Sequence, residues 1–170
     1  MSRIEELLAG SVKFVPAVVC FLRRGNQVLL GRRIKVSRNL GTNLLAGIGG
    51  KVGDLPEYRD ETPEEAVARE VAEEIKVTIT TYRAMGRVRF IYPHKPDWNQ
   101  DVTIYIATEW QGEPEETETT EPLWVDQVSL PASQMWPDNA DWVPLVLAGE
   151  HVDMIFLYDG NGGIVERLVS

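Results

Sequence analysis

The chain has one cysteine, two histidines and only 17 lysines and arginines among its 170 residues. A single cysteine excludes an internal disulfide, and Cys20 lies in an apolar run, as expected of a small buried core residue in a reducing cytoplasm. His94 and His151 fall in loop-like segments and receive no site role. Long hydrophobic runs are also missing. The stretch Phe14 to Leu22 is too short to span a membrane, and the mixed-charge Arg3-Ile4-Glu5-Glu6 before it is not a basic leader. It reads as a central strand. Basic charge is scarce: 26 acidic residues leave a formal net charge of −9. This excludes a nonspecific coat for DNA or RNA, which needs basic patches to displace counterions. No stable nucleic-acid or membrane partner is expected, and the sequence leaves the oligomeric state open. A small polyanionic nucleotide remains compatible where a metal ion bridges the two. With no internal repeat and no long linker, residues 1–170 read as one domain, 1–10 being a short helix or a loose arm.

What the chain does have is concentrated in Gly49 to Val77, GGKVGDLPEYRDETPEEAVAREVAEEIKV. Thr62-Pro63-Glu64-Glu65 is a helix start, with an N-cap residue, proline at the first helical position and acids in the first turn. The helix is expected from Pro63 to Ile75. Residues three and four apart share a face, so Glu70, Glu73 and Glu74 point into one sector. Such a cluster repels itself unless a cation sits among it, and hard divalent cations take oxygen ligands of this kind together with substrate phosphates. A glutamate-rich helix is most often a solvated face. Here Val67, Val71 and Ile75 form an apolar stripe beside the acids, which places them at the edge of a buried surface. Glu61, eight residues before Arg69, is placed to tie the preceding loop to the helix by an ion pair.

Around this unit, residues 15–23 and 27–32 read as strands joined at Gly25-Asn26. Residues 35–46 read as a loop, and Gly49-Gly50 as a tight glycine turn. Residues 85–92, 102–108 and 123–126 read as strands, 93–101 as a link and 111–120 as an acidic loop. Residues 140–148 read as a helix, and 154–158 with 164–168 as a closing hairpin. Strands surrounding two helices indicate an α/β fold with a mixed sheet packed between helices.

Glu61, seven residues, then Arg69-Glu70-Val71-x-Glu73-Glu74, with Val77 at the last aliphatic position, resembles the Nudix box, G-x5-E-x7-R-E-U-x-E-E-x-G-U. Gly49-Gly50-Lys51-Val52 resembles its opening. Two departures stand out. Ten residues separate Gly50 from Glu61 where the pattern has five, so Gly53 to Asp60 holds an insertion able to shift the Gly50 carbonyl. Lys76 occupies the glycine position that normally ends the helix in a left-handed conformation. The resemblance implies an α/β/α sandwich and Mg2+, with Mn2+ a possible substitute, held by Glu70, Glu73, Glu74 and the Gly50 carbonyl. It implies Glu73, Glu74 and Glu70 as catalytic acids, Glu74 or Glu73 being the natural general base. Glu118 or Glu121 of the acidic loop are the alternatives. Arg69 and Glu61 are structural, and Lys51 is placed to contact phosphate.

Near the C-terminus, Met135-Trp136-Pro137-Asp138-Asn139-Ala140-Asp141-Trp142 sets two tryptophans six residues apart around polar groups. Trp offers a large flat surface to a ring, and a base pocket adds a few polar groups to fix the edge. The alternative is ordinary core, with Asp138 capping the next helix. The run is similar to the W-P-D-D-x-x-W pattern of the animal-type 8-oxo-dGTP diphosphatases. That implies Trp136, Asp138 and Asn139 against the base and Trp142 supporting the pocket. Asn139 replaces the second aspartate of the pattern. The pocket asparagine expected before Gly49 falls on Ala46, with Asn43 the nearest replacement.

The implied activity is hydrolysis of a purine (deoxy)nucleoside triphosphate, with oxidised forms such as 8-oxo-dGTP among the candidates, to the monophosphate and pyrophosphate. Competing readings are a Nudix enzyme for ADP-ribose or dinucleoside polyphosphates and a catalytically silent Nudix-fold nucleotide-binding domain. An isomerase of allylic diphosphates is disfavoured because Cys20 lies in a strand-like apolar run.

Overall fold

The computed structural model describes residues 1–34 and 43–170. Residues 35–42 of the expected 35–46 loop lie outside the described residues. Among the described residues a nine-stranded mixed sheet is assembled from β1 (Val15–Arg24), β2 (Gln27–Arg33), β3 (Leu45–Ala46), β4 (Ile48–Lys51), β5 (Thr78–Ile91), β6 (Gln100–Gln111), β7 (Thr120–Asp126), β8 (Val152–Tyr158) and β9 (Ile164–Val169). The main path runs β3-β2-β1-β6-β5-β8-β9, with β4 on β1 and β7 on β2. The pairs β1–β6 and β5–β8 are parallel and the others antiparallel. Both parallel pairings are non-consecutive in the chain, as parallel neighbours require a crossover.

Three α-helices among the described residues cover the sheet: α1 (Arg3–Ala9), α2 (Pro63–Ile75) and α3 (Asn139–Leu147). Side chains alternate across a strand, so each strand supplies both faces. Phe21 of β1 joins Trp142, Val143 and Val146 of α3. Its neighbours Cys20 and Leu22 join Val67, Val71 and Ile75 of α2. The same alternation sends Phe90 and Phe156 to the α3 side and Ile91, Ile155 and Leu157 to a small core under Ile4 of α1. Residues 3–9 are therefore a docked helix, not a loose arm. Cys20 is fully buried and its thiol is pushed up to about 12 by desolvation, an inert core residue as expected.

The helix that carries the acids spans the expected residues. Thr62 and Glu65 form a reciprocal capping box, and Pro63 opens the first turn. Gly49 and Gly50, read as a turn, instead lie in β4, paired with Val19 and Val18. They are glycines because there is no room for a side chain. A Cβ on Gly49 would sit 1.9 Å from the Val18 carbonyl oxygen, and one on Gly50 2.5 Å from the Glu70 carboxylate. Strand β5 begins seven residues earlier than expected, at Thr78, and carries register shifts against β6 between Ile79 and Arg87 that break its alternation.

Lys76 ends α2 with φ 60° and ψ 39°, the left-handed conformation the resemblance implied. A side chain there costs about 1–2 kcal/mol relative to glycine. Lys76→Gly should stabilise the protein by about 1 kcal/mol and raise the melting temperature by roughly 2–4 °C in a thermal denaturation scan.

Candidate active site

A cavity of about 670 Å³ brings together groups from α2, β4, the ends of β5 and β6, and the segment leading into α3. Glu70, Glu74, Gly50 and Lys51 line it, as do Trp136, Asp138, Asn139 and Trp142. The two stretches singled out in the sequence thus share one cavity, although residues 78–134 lie between them.

The acidic part is organised by Arg69. Its Nε and one terminal nitrogen donate to the Glu61 carboxylate at 2.6 and 2.9 Å. The same terminal nitrogen donates to the Lys51 carbonyl at 3.2 Å, while the other reaches Glu70 at 3.0 Å and Glu73 at 3.2 Å. Tyr58, from a single 3-10 turn in the insertion, lays its ring 4.4 Å from the guanidinium carbon. The expected Glu61–Arg69 tie is therefore present, and the insertion packs against it. Glu61 also accepts from the Gly53 N–H at 3.1 Å, and the Arg69 hydrogen bond holds its carboxyl below the usual range.

The three helix acids are not equivalent. Glu70 is 9% exposed, lines the cavity and sits against the Gly50 backbone. Glu74 also lines the cavity, with Arg33 of β2 3.7 Å away. Glu73 is half exposed, turned to Arg69, and is not among the lining residues. Among the described residues no three acids are gathered into a preformed metal cluster. Burial pushes the Glu74 carboxyl up to about 7, against the opposing pull of Arg33. Burial likewise raises Glu70, and Arg69 opposes it. Buried, mutually repelling carboxylates beside the Gly50 backbone form an all-oxygen donor set. These residues fit a hard divalent cation, with Glu73 free to join once it leaves Arg69.

The other part is aromatic. Phe90, Tyr92, Trp98, Trp136 and Trp142 line the cavity. Asp138 is 3% exposed, and its side chain does not cap α3. It accepts instead from Trp142 Nε1 at 2.8 Å, from Asn139 Nδ2 at 3.3 Å and from the Tyr158 hydroxyl. Burial raises the Asp138 carboxyl, and the Trp142 and Tyr158 hydrogen bonds pull it back down. Trp142 thus acts from below, through Asp138 and an edge contact with Phe21 at 5.9 Å.

Some expectations need correction. Asn43 is exposed, with its carbonyl accepting from Arg32, and is not among the lining residues; Ala46 is. Glu121 pairs with Arg32 at 3.8 Å, and neither it nor Glu118 lines the cavity. Both histidines are exposed, though His94 packs edge-on to Tyr92 and Trp98. Arg33, Tyr92, Trp98 and Tyr158 were not legible as site residues. Tyr92 alternates with Phe90 as a core strand residue would, and Trp98 sits in what reads as a link.

Residues 13–146 match the NUDIX domain family. The oxidized purine nucleoside triphosphate hydrolase of Danio rerio is 35% identical over 83% of this chain and 85% of its own length. The 8-oxo-dGTP diphosphatase of Haemophilus influenzae is 37% identical over 61% of this chain and 70% of its own. In fold, the chain superposes on the MutT protein of Bacillus halodurans with a TM-score of 0.75 at 19% identity, covering 92% of this chain and 98% of that one. The chain belongs to the Nudix hydrolase family. Nudix hydrolases generally use a divalent metal and act on small nucleotide substrates. No helix among the described residues is long and apolar enough to cross a membrane.

The raised Glu74 carboxyl has a consequence for stability. Between an unfolded value near 4.5 and a folded value near 7 the folded state binds the proton more tightly. Stability therefore falls as pH rises through that window. Without metal, Glu74→Gln should melt roughly 2–6 °C above the parent at pH 8, with the gap closing by pH 5. Melting curves in EDTA at the two pH values check this.

Proposed function

We propose that the protein is a Mg2+-dependent pyrophosphohydrolase of purine (deoxy)nucleoside triphosphates, oxidised ones such as 8-oxo-dGTP included, releasing the monophosphate and pyrophosphate. The observation that carries this reading is the single cavity, with buried carboxylates on α2 and an aromatic pocket holding a buried aspartate. Its contents match the two halves of a nucleotide: a polyanion that needs a cation between it and the acids, and a flat ring with a polar edge. The relatives named for oxidised purine nucleoside triphosphates and 8-oxo-dGTP support the same substrate class.

Glu70, Glu74 and the Gly50 carbonyl would hold the cation, with Glu73 completing the set after parting from Arg69. When bound, such an ion neutralises phosphate oxygens and lowers the pKa of the attacking water. Mn2+ supplies the same charge and oxygen preference. Glu74, which lines the cavity beside Arg33, is the first candidate to take the proton from water attacking a bridging anhydride. Glu73 is the second candidate, since it reaches solvent. Lys51 and Arg33, both lining the cavity, would meet the negative charge of the triphosphate. Arg69 touches no substrate in this scheme; it aligns β4 with α2. Trp136 would stack on the base, Asp138 and Asn139 would read its edge, and Trp142 would hold Asp138 in place.

Glu73→Gln and Glu74→Gln should remain folded and lower kcat/KM for pyrophosphate release by roughly 100-fold or more in saturating Mg2+. Unchanged turnover in both would overturn the acid assignment. The substrate class is checked by measuring pyrophosphate release from dGTP, 8-oxo-dGTP and dATP beside ADP-ribose and diadenosine polyphosphate hydrolysis. The triphosphates should win, and a higher kcat/KM for ADP-ribose would replace the reading.

A further inference from the structure

We propose that Tyr158 is a specificity-determining positioning residue, fixing Asp138 as a pure hydrogen-bond acceptor so that the pocket selects guanine-type bases over adenine-type ones. The inference rests on the proposed base pocket. It goes beyond it by assigning selectivity to a residue on β8 that is not itself among the lining residues.

The hydrogen bonds around Asp138 run in one direction. Trp142 Nε1 is a donor only, so it must donate to Asp138 at 2.8 Å. The Asp138 backbone N–H donates to the Tyr158 oxygen at 3.3 Å, which turns the phenolic proton toward the Asp138 carboxylate. Asn139 Nδ2 adds a third donor at 3.3 Å. Among the described residues the titratable groups facing Asp138 are Tyr158, Tyr92 just after β5, and Asp141 of α3. Asp141 is itself paired with Arg167 of β9 at 2.5 Å. The charge of Asp138 is thus held by neutral donors, and a protonated carboxyl would have to aim its own O–H at one of them. Both phenols are pushed above the ordinary tyrosine value by burial and by the charge of Asp138, so Tyr158 keeps its proton to donate.

Such a carboxylate has only lone pairs to offer the cavity. The ring edge of a guanine-type base presents adjacent N–H donors at N1 and the 2-amino group. An adenine-type base presents a bare N1 and would set lone pair against lone pair. A site built around a hydrogen bond rejects an analogue lacking it far more strongly than an apolar pocket can. Tyr158 is also placed to keep this arrangement rigid. Its ring stacks on Tyr92 with centroids 5.1 Å apart and planes at 14°.

Tyr158→Phe keeps the ring and its stack and removes only the donor. The experiment compares kcat and KM for 8-oxo-dGTP and dATP. It also measures calorimetric binding of the two corresponding monophosphates in EDTA, which needs neither metal nor turnover. The parent should prefer the guanine-type ligand in both assays. In Tyr158→Phe that preference should fall about tenfold, in KM and in Kd but not in kcat. Adding Tyr158→Phe to Asp138→Asn should change selectivity no more than Asp138→Asn alone. A parent without preference, an equal loss on both bases, or additive losses in the double variant would overturn the assignment. Selective monophosphate binding without any pyrophosphate release would instead overturn the proposed activity while supporting the role of Tyr158.

Discussion

The guanidinium of Arg69 is the contact on which the arrangement of the acidic site depends. One side chain bonds Glu61 in the loop, the Lys51 carbonyl in β4, and Glu70 and Glu73 in its own helix. A planar fork of five donors can do this, whereas a lysine ammonium would offer a point charge without the geometry. Its arms join three segments that have no regular hydrogen bonding to one another. Its charge also makes it tolerable to bury Glu61 and Glu70 side by side. The Glu61 and Glu70 carboxylates hold the guanidinium still more firmly in its charged form, and Tyr58 lies over it.

The two ends of the cavity solve the same problem, a buried carboxylate, in opposite ways. Glu70 and Glu74 are left short of positive charge: one shares Arg69 with other acids, and the other has Arg33 only at 3.7 Å. Their protons are held more tightly in consequence, an arrangement that a cation relieves. Asp138 is supplied with three neutral donors and is nearly complete without any ligand. The first arrangement draws in charge; the second holds a fixed polar edge against which a ring can be compared. In the proposed function, cation binding and base recognition could therefore be changed separately, which suits a reaction common to many nucleotides with a choice of base that is not.

The legible parts of this molecule were those that local chemistry dictates. The capping box at Thr62, the stripe Val67-Val71-Ile75 and the eight-residue reach from Glu61 to Arg69 are contained within one loop-helix unit, and each appears as read. The family pattern also marked Trp136 and Asp138. What could not be read depends on contacts across the sheet. Tyr158 of β8 meets Asp138 at the start of α3, twenty residues earlier in the chain, and Tyr92 meets Tyr158 because β8 lies parallel to β5. Gly49 and Gly50 look like a turn in isolation. Their lack of side chains is instead required by Val18 on one strand and Glu70 on a helix. Glu73 shares a helical sector with Glu70 and Glu74, but the sector does not decide which acid Arg69 will hold. No cap, period or spacing encodes these contacts.

The insertion between Gly50 and Glu61 tests how far the site tolerates a change in chain length. Ten residues in place of five make an insertion able to shift the Gly50 carbonyl. Doubling a loop costs only about 0.6 kcal/mol of closure entropy, so length by itself is no threat. What matters is where the extra chain attaches. Gly50 is fixed before the loop begins, by its pairing with Val18 in β1. Glu61 is fixed after it ends, by Arg69. The added residues leave from Lys51, whose carbonyl Arg69 also holds, and fold back through the 3-10 turn Pro56–Tyr58. That return brings Tyr58 over the guanidinium. Gly53, with φ 62° and its N–H on Glu61, makes the tight reversal possible. The extra length is absorbed between two anchors that the catalytic geometry already needs, and its one aromatic side chain strengthens the second of them.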